Sequence, residues 1–150
     1  MNASFLPELI RVIQANLEQL EKEISSFDQQ LLWRTRAGVV NSAGNLTLHL
    51  VGNLNYYIGA ILGQTGYVRN RENEFAAKDI PSVELINMIR KTHLMIGEVL
   101  NSLAEIELDQ DYPVVVFDKP MSSRYFLMHL SAHLAYHLGQ INYLRRILQG

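Results

Sequence analysis

Three histidines recur at intervals of four residues near the end of the chain, at positions His129, His133 and His137. An α-helix has 3.6 residues per turn, so on a helix these three imidazoles lie on one face. Four residues advance a helix by about 6 Å, and one metal ion can therefore take only two successive members of the ladder. The pair is either His129 with His133 or His133 with His137, and both alternatives include His133.

A further histidine, His49, lies in an earlier segment with helical periodicity. On a helix it shares a face with Asn53 and Tyr56. His49 and a histidine pair from the last helix could place three imidazole nitrogens around a divalent cation at about 2.0–2.1 Å. The alternative is a buried polar network without metal. Asn53 and Tyr56 would then be ordinary polar residues of the bundle rather than outer donors to the metal ligands.

Carboxylates are missing from both segments that carry these histidines. Neither residues 42–71 nor residues 119–150 contain Asp or Glu. The sequence therefore lacks the general-base glutamate of helical zinc peptidases and the carboxylate ligands of di-iron bundles. Three neutral imidazoles would leave a full double charge on a divalent ion, which favours anionic ligands. Such an ion can polarise a carbonyl, acidify a bound water or stabilise a thiolate.

Four stretches with helical periodicity must position the histidines. The first begins at about Ser4, the second covers residues 42–62, the third opens with Pro81-Ser82 and the fourth runs from Ser122 or Ser123 to about Leu148. We expect residues 27–41 to pack against the helices, residues 67–80 to form a solvated crossover that could include a short turn of helix, and residues 114–117 to be extended. The pattern predicts an all-α fold, a four-helix bundle with long crossover connections, as one domain over residues 1–150.

Composition and net charge argue against several classes of function. The chain has 150 residues, of which 48% are hydrophobic, and a formal net charge of −2. This small charge argues against a binder of phosphate backbones, so we expect no nucleic-acid partner. The most apolar run is too short and polar to span a membrane. The chain has no cysteine, which excludes disulfides, thiolate ligands and a cysteine nucleophile, and we expect a cytoplasmic protein.

Apolar residues also lie away from the histidine face of the second and fourth helices. Helices that are apolar over most of their circumference predict a second buried surface, and we therefore expect a homodimer. The residues concerned are Leu50, Leu54, Ile58 and Ile61 in the second helix and Leu127, Leu134 and Leu138 in the fourth.

The final helix resembles a known family. Its sequence from His133 to Ile141, HLAYHLGQI, is similar to the closing H-x-x-x-H-x-G-Q-I helix of the DinB/YfiT-like superfamily, and Ser42 followed by apolar residues and His49 resembles an earlier helix of that family. The resemblance implies a four-helix bundle, usually dimeric, that binds one divalent metal through His49, His133 and His137. Candidates for outer contacts to the ligands or to substrate are His129, Asn53, Tyr56 and Gln140.

The resemblance also bears on activity. Family members with known activity are similar to metal-dependent transferases or isomerases that use low-molecular-weight thiols. We therefore expect a metal site that activates a small thiol or water and acts on a small molecule. Zinc or nickel is the first expectation for the metal, with iron, manganese and cobalt left open. The alternatives are a non-catalytic structural or interaction bundle and a metal-dependent hydrolase.

Overall fold

The computed structural model describes residues 4–150, and four long helical units form its bundle. The first unit is α1, the second is α2 together with a π-helical continuation, and the others are α4 and α5. The elements in chain order are α1 (Phe5–Ser26), α2 (Ala43–Leu54), the π-helical segment (Asn55–Leu62), α3 (Arg71–Ala76), α4 (Ser82–Ser102), a 3₁₀ turn (Glu105–Asp109) and α5 (Ser123–Gln149).

The helices that carry the histidines begin at serine caps. The Ser42 hydroxyl accepts a hydrogen bond from the Asn45 backbone N–H at 3.1 Å, and the Ser122 hydroxyl accepts one from the Tyr125 N–H at 3.1 Å. Each cap satisfies a donor that the first helical turn leaves unpaired. The predicted all-α class and the starts of both helices are therefore confirmed. Ser4 also precedes a helix, but its hydroxyl bonds to Glu105 instead of the first turn of α1.

The packing order of the helices creates the long connections. Helix α1 packs against α4 and α5, and α2 lies across the bundle, where it also packs against α4 and α5. Consecutive helices α1 and α2 are therefore diagonal, and residues 27–42 cross from one to the other. The apolar stripe of α1 is fully buried against its neighbours, as the three- and four-residue spacing predicts. Its members without solvent exposure are Ile13, Leu17, Leu20 and Ile24.

Helix α2 is buried on every side, because it contacts α3 as well as α4 and α5. This position explains its apolar circumference without a second subunit. Leu50, Leu54 and Ile58 have no solvent exposure within the single chain, and neither have Leu127 and Leu134 of α5. These residues form the core of the chain itself. Burial by the chain itself therefore accounts for these apolar residues, and the homodimer stays a prediction without their support.

The crossover between α2 and α4 is largely exposed and includes a short helix, as predicted, but it also makes specific contacts with α2. It contains α3, which packs against α2 and buries Glu74. The Asn45 side chain donates to the carbonyls of Glu74 and Ala77 at 3.0 and 2.8 Å, which ties the crossover to α2. Glu74 is the buried exception in this charged segment, because its carboxylate is paired with Arg69 inside the protein.

The π-helical segment and the extended residues 111–117 lie against each other. The Tyr112 hydroxyl donates to the Tyr57 carbonyl at 2.6 Å. Asp111 and Ser122 form an antiparallel bridge, and no strand occurs in residues 4–150. Within this range no helix is long and apolar enough to cross a membrane.

Candidate metal centre

Three imidazoles from two helices converge between α2 and α5. The Nε2 atom of His133 lies 3.2 Å from Nε2 of His49 and 3.1 Å from Nε2 of His137. One ring nitrogen of each residue lies within 4.8 Å of the other two. The sequence left two histidine pairs open, and the structure places the pair His133 and His137 beside His49.

Hydrogen bonding among the imidazoles accounts for both short contacts of His133 only if one group is shared. A neutral ring nitrogen carries either one hydrogen or one lone pair, so Nε2 of His133 would have to make both contacts as one three-centre hydrogen bond. Around a tetrahedral ion with bonds of about 2.0–2.1 Å, ligand nitrogens lie about 3.4 Å apart. The observed spacings are close to this value, and the three-histidine group could bind a divalent ion.

The outward-facing nitrogens of two imidazoles contact oxygen acceptors. Nδ1 of His49 lies 3.1 Å from a carboxylate oxygen of Glu74, and Nδ1 of His137 lies 2.7 Å from the amide oxygen of Gln140. Arg69 Nη2 also lies 3.4 Å from Nδ1 of His49, but the carboxylate oxygen is closer, and the contacts with acceptors favour a proton on Nδ1 in both rings. The Nε2 lone pairs are then directed towards the common centre, as metal-ligating histidines require.

Two buried polar atoms near the centre have no hydrogen-bond partner among the described residues. They are Nδ1 of His133 and the amide oxygen of Asn53. If Nε2 of His133 is a ligand, its Nδ1 is a donor, and the Asn53 oxygen is an acceptor. The two residues line the same cavity, where the unpaired donor of one matches the unpaired acceptor of the other.

Glu74 contacts the candidate site, and the sequence did not indicate it, because it lies in the crossover rather than on either histidine helix. Arg69 donates to both of its oxygens, at 2.8 and 2.9 Å. The carboxylate lies against Gly52, where a methyl group would overlap it. The histidine helices themselves carry no carboxylate, as the sequence predicts, and Glu74 reaches His49 from the crossover between α2 and α4. The glycine at position 52 leaves the space on α2 that this carboxylate occupies.

Burial keeps the imidazoles of His49 and His133 neutral. It is the largest cause that lowers the pKa of His49, and the Glu74 carboxylate opposes it. Burial also lowers the pKa of His133 to about 4, with a further contribution from the neighbouring imidazoles of His137 and His49. Both rings are therefore neutral at pH 7, which is the protonation state that binds a metal ion.

A cavity of about 280 Å³ adjoins the triad and is lined in part by His49, His133 and Asn53. His129 also lines it, with its ring centroid 5.0 Å from that of Phe117 and 6.2 Å from that of His133. His129 thus lies beside the triad and not within it. Of the other predicted outer residues, Gln140 contacts His137, as described above. Tyr56 packs edge-on against Tyr57 and does not line this cavity.

Solved structures share this fold over nearly the whole chain. YfiT from Bacillus subtilis, described as a probable metal-dependent hydrolase with an unusual four-helix bundle topology, is 13% identical with a TM-score of 0.75, covering 99% of this chain and 90% of that chain. The DinB-like protein YjoA, also from Bacillus subtilis, is 15% identical with a TM-score of 0.72, covering 95% and 92%. Both likenesses concern the fold alone. No curated protein matches the sequence.

A third structure corrects an expectation about partners. The colibactin self-resistance protein ClbS is 16% identical with a TM-score of 0.69, covering 97% of this chain and 98% of that chain, and its structure is a complex with double-stranded DNA. The prediction that the protein has no nucleic-acid partner, which was drawn from its small net charge, is therefore wrong. A net charge sums over the whole surface and does not describe how charge is distributed on it.

A family model matches the whole of the sequence. The model of the DUF1572 family, described as a protein of unknown function, matches residues 1–150. The chain therefore belongs to the DUF1572 family and has the fold of the DinB/YfiT-like superfamily.

Proposed function

We propose that the protein binds one divalent metal ion through His49, His133 and His137 and uses it to activate a small molecule. The observation that carries this proposal is the position of Nε2 of His133, 3.1–3.2 Å from the Nε2 atoms of both other histidines. Three imidazoles are the ligand set of catalytic sites that keep a position open for water or substrate. Zinc or nickel is proposed first, and iron, manganese and cobalt remain alternatives.

The residues around the triad would hold the imidazoles in place. Glu74 fixes the ring of His49, and Gln140 fixes the ring of His137. The buried oxygen of Asn53 is available to accept from Nδ1 of His133. Three outer acceptors of this kind would orient the three ligands before a metal ion arrives, which lowers the cost of ordering the site.

The first proposed reaction class is a transfer or isomerisation that uses a small thiol. When bound, the metal supplies stabilisation of a thiolate at neutral pH. The thiol must come from outside, because the chain contains no cysteine. Hydrolysis is the second candidate, and the specific observation in its favour is the shared fold with YfiT, described as a probable metal-dependent hydrolase. The third candidate is a non-catalytic bundle in which the ion only stabilises the fold.

Metal analysis of variants tests the site. We expect the wild type to bind one equivalent of zinc or nickel and His133→Ala to bind none, measured by elemental analysis and calorimetry. His93→Ala is the matched control, because His93 lies at a helix edge beside Glu18, with 29% of its side chain exposed. Full occupancy in His133→Ala would refute the triad. Loss of metal in His129→Ala but not in His137→Ala would place the site one turn earlier.

Activity assays separate the three candidates. Metal-loaded protein is mixed with an electrophilic acceptor in the presence and absence of a small thiol, and separately with esters and amides. Turnover that requires the thiol supports transfer, whereas turnover of esters without thiol supports hydrolysis. A metal ion that raises the melting temperature strongly but produces no turnover supports the non-catalytic bundle.

Two other expectations, a homodimer and a cytoplasmic location, remain proposals. Apolar side chains exposed on α5 are available for contact with a second copy, and they include Tyr125, Met128, Tyr136 and Tyr143. Sedimentation analysis tests the dimer, and fractionation of cells tests the location.

A further inference from the structure

The cavity beside the triad is lined by two arginines and by no carboxylate. Arg69 and Arg71 both line it, and its lining contains neither Asp nor Glu. Arg69 is neutralised by Glu74. Arg71 makes no ion pair with any residue in the range 4–150, and its guanidinium lies over the Phe75 ring at 5.4 Å from the centroid. One positive charge at the cavity is therefore available to a ligand.

Other parts of the lining are apolar or accept hydrogen bonds. Phe117 and Phe126 flank His129, with ring centroids 5.0 and 5.9 Å from that of the imidazole. Asn53 is 93% buried, since 7% of it is exposed, and its amide oxygen has no partner among the described residues. The cavity thus offers aromatic faces for a flat apolar group and a cation for an anion, while the Asn53 oxygen faces the need of Nδ1 of His133 described above.

The size of the cavity limits the ligand. Its volume of about 280 Å³ lies at the low end for small-molecule sites. Along α5 its lining extends from Phe126 to His133, which corresponds to about 10 Å of helix. These dimensions suit a molecule of one ring with a short substituent.

We infer that the cavity binds a small aromatic or apolar carboxylic acid, with its carboxylate at Arg71 and its body against Phe117 and Phe126. The guanidinium presents a planar fork of donors that matches a carboxylate. An anion in a crevice with cationic and low-dielectric walls is also favoured over a neutral molecule. The inference rests on the proposed metal-dependent function in one respect only. The end of the ligand that lies away from the carboxylate would point towards His133 and the metal ion.

Binding of benzoate tests the inference, with benzamide as the neutral molecule of the same shape. Each is titrated into isotope-labelled protein, metal-free and zinc-loaded, and followed by NMR. We expect benzoate to shift the signals of residues that line the cavity, and benzamide to bind at least about fivefold more weakly, the scale of one partly exposed ion pair. Equal affinity of the two probes, or shifts confined to another surface, would overturn the inference.

Variants identify the cation. Arg71→Gln should weaken benzoate binding about fivefold, and Arg71→Lys should show a smaller loss, because lysine keeps the charge but not the planar fork. Arg146→Gln is the matched control, because Arg146 also lies over an aromatic ring, that of Tyr143, at 5.4 Å and does not line the cavity. Unchanged binding in Arg71→Gln would refute the assignment. Arg71 is exposed, so an unaltered melting temperature is expected for its variants.

The two metal states separate this inference from the proposed function. Benzoate that binds metal-free protein in an Arg71-dependent manner supports the cavity whether or not zinc binds. If zinc does not bind to the triad, the metal proposal fails and the cavity stands. If zinc binds stoichiometrically but benzoate affinity is independent of Arg71 in both states, the metal proposal stands and the carboxylate subsite is refuted.

Discussion

Two glutamates are buried in different regions of the bundle, and an arginine pairs with each of them. On α1, Glu23 accepts hydrogen bonds from Arg145 and Asn142 of α5, both at 2.7 Å, and its side chain is 5% exposed. On α3, Glu74 is bound by Arg69 and has 6% of its side chain exposed. Removing a carboxylate from water is costly unless it is paired, so both regions meet the same requirement in the same way.

The difference lies in the remaining partner of each carboxylate. Glu23 contacts the side-chain amides of Asn142 on α5 and Gln19 on α1. Glu74 instead contacts Nδ1 of His49, which belongs to the triad. The Glu23 pair therefore fastens α1 to α5, and the Glu74 pair also orients an imidazole. A buried ion pair alone does not indicate function, and the third group in contact with it distinguishes the two cases.

Glu74→Gln should have the largest effect, because it leaves Arg69 buried without its counter-charge. We expect the free energy of unfolding of the metal-free protein to fall by about 3–5 kcal/mol. Zinc affinity should also fall by about 10–100-fold, since the charged partner of His49 is lost. Denaturant unfolding and calorimetric titration with zinc measure the two effects.

A second substitution separates the two roles of Glu74. The double variant Glu74→Gln with Arg69→Met removes the uncompensated charge and should recover part of the stability, but not the zinc affinity. If zinc affinity were unchanged in Glu74→Gln, or returned together with stability in the double variant, Glu74 would serve only to balance Arg69.

Glu23→Gln should lower the free energy of unfolding by about 1.5–3 kcal/mol at pH 7, the scale of hydrogen bonds to a charged group. Burial alone would raise the pKa of Glu23, but hydrogen bonds from Arg145 and Asn142 outweigh it, and the pKa lies below its ordinary value of 4.5. The ionised carboxylate therefore stabilises the folded protein above the unfolded-state pKa, and this stabilisation is lost as the pH falls through the folded-state pKa.

Unfolding experiments across the acidic range check this prediction. The wild type and Glu23→Gln should differ fully at neutral pH, begin to converge near pH 4.5 and coincide below the folded-state pKa. Zinc affinity should equal that of the wild type throughout the pH range in which zinc binds. A loss of zinc affinity in Glu23→Gln would remove the distinction between the two glutamates.

Two helix glycines give the smallest effects and opposite signs. In Gly52→Ala, the new methyl group overlaps the Glu74 carboxylate, and we expect a loss of about 1–3 kcal/mol in unfolding free energy together with weaker zinc binding. In Gly139→Ala, the methyl group meets no atom within 4 Å, and we expect a gain of about 0.5–1 kcal/mol and unchanged zinc binding. Thermal unfolding measures the stability of both variants. A change of stability in the same direction for both would contradict the prediction.

The sequence was sufficient for the fold because local signals and periodicity agreed. Ser42 and Ser122 cap helices whose apolar residues recur at three- and four-residue steps, and these features need no knowledge of distant contacts. The apolar circumference of α2 was harder to interpret. The same pattern fits a helix surrounded by its own chain or a helix at a subunit interface, and only the packing order separates the two.

The site was predictable only in part, for a geometric reason. The spacing of His129, His133 and His137 fixes their common face but not the level at which α2 crosses α5, and that level decides which of them lie beside His49. Glu74 is 25 positions from His49 in the sequence and reaches it through a crossover. No periodicity relates residues on different elements, so sequence pattern alone could not pair them.

The hydrogen bond from Tyr112 to the Tyr57 carbonyl has a consequence for how ligands enter the cavity. It attaches the extended segment that carries Phe117 to the continuation of the helix that carries His49. This contact limits how far the start of that segment can move away from the helix, so part of the ordering of the cavity wall is in place before a ligand arrives. Ordering that is already present lowers the entropy cost of binding.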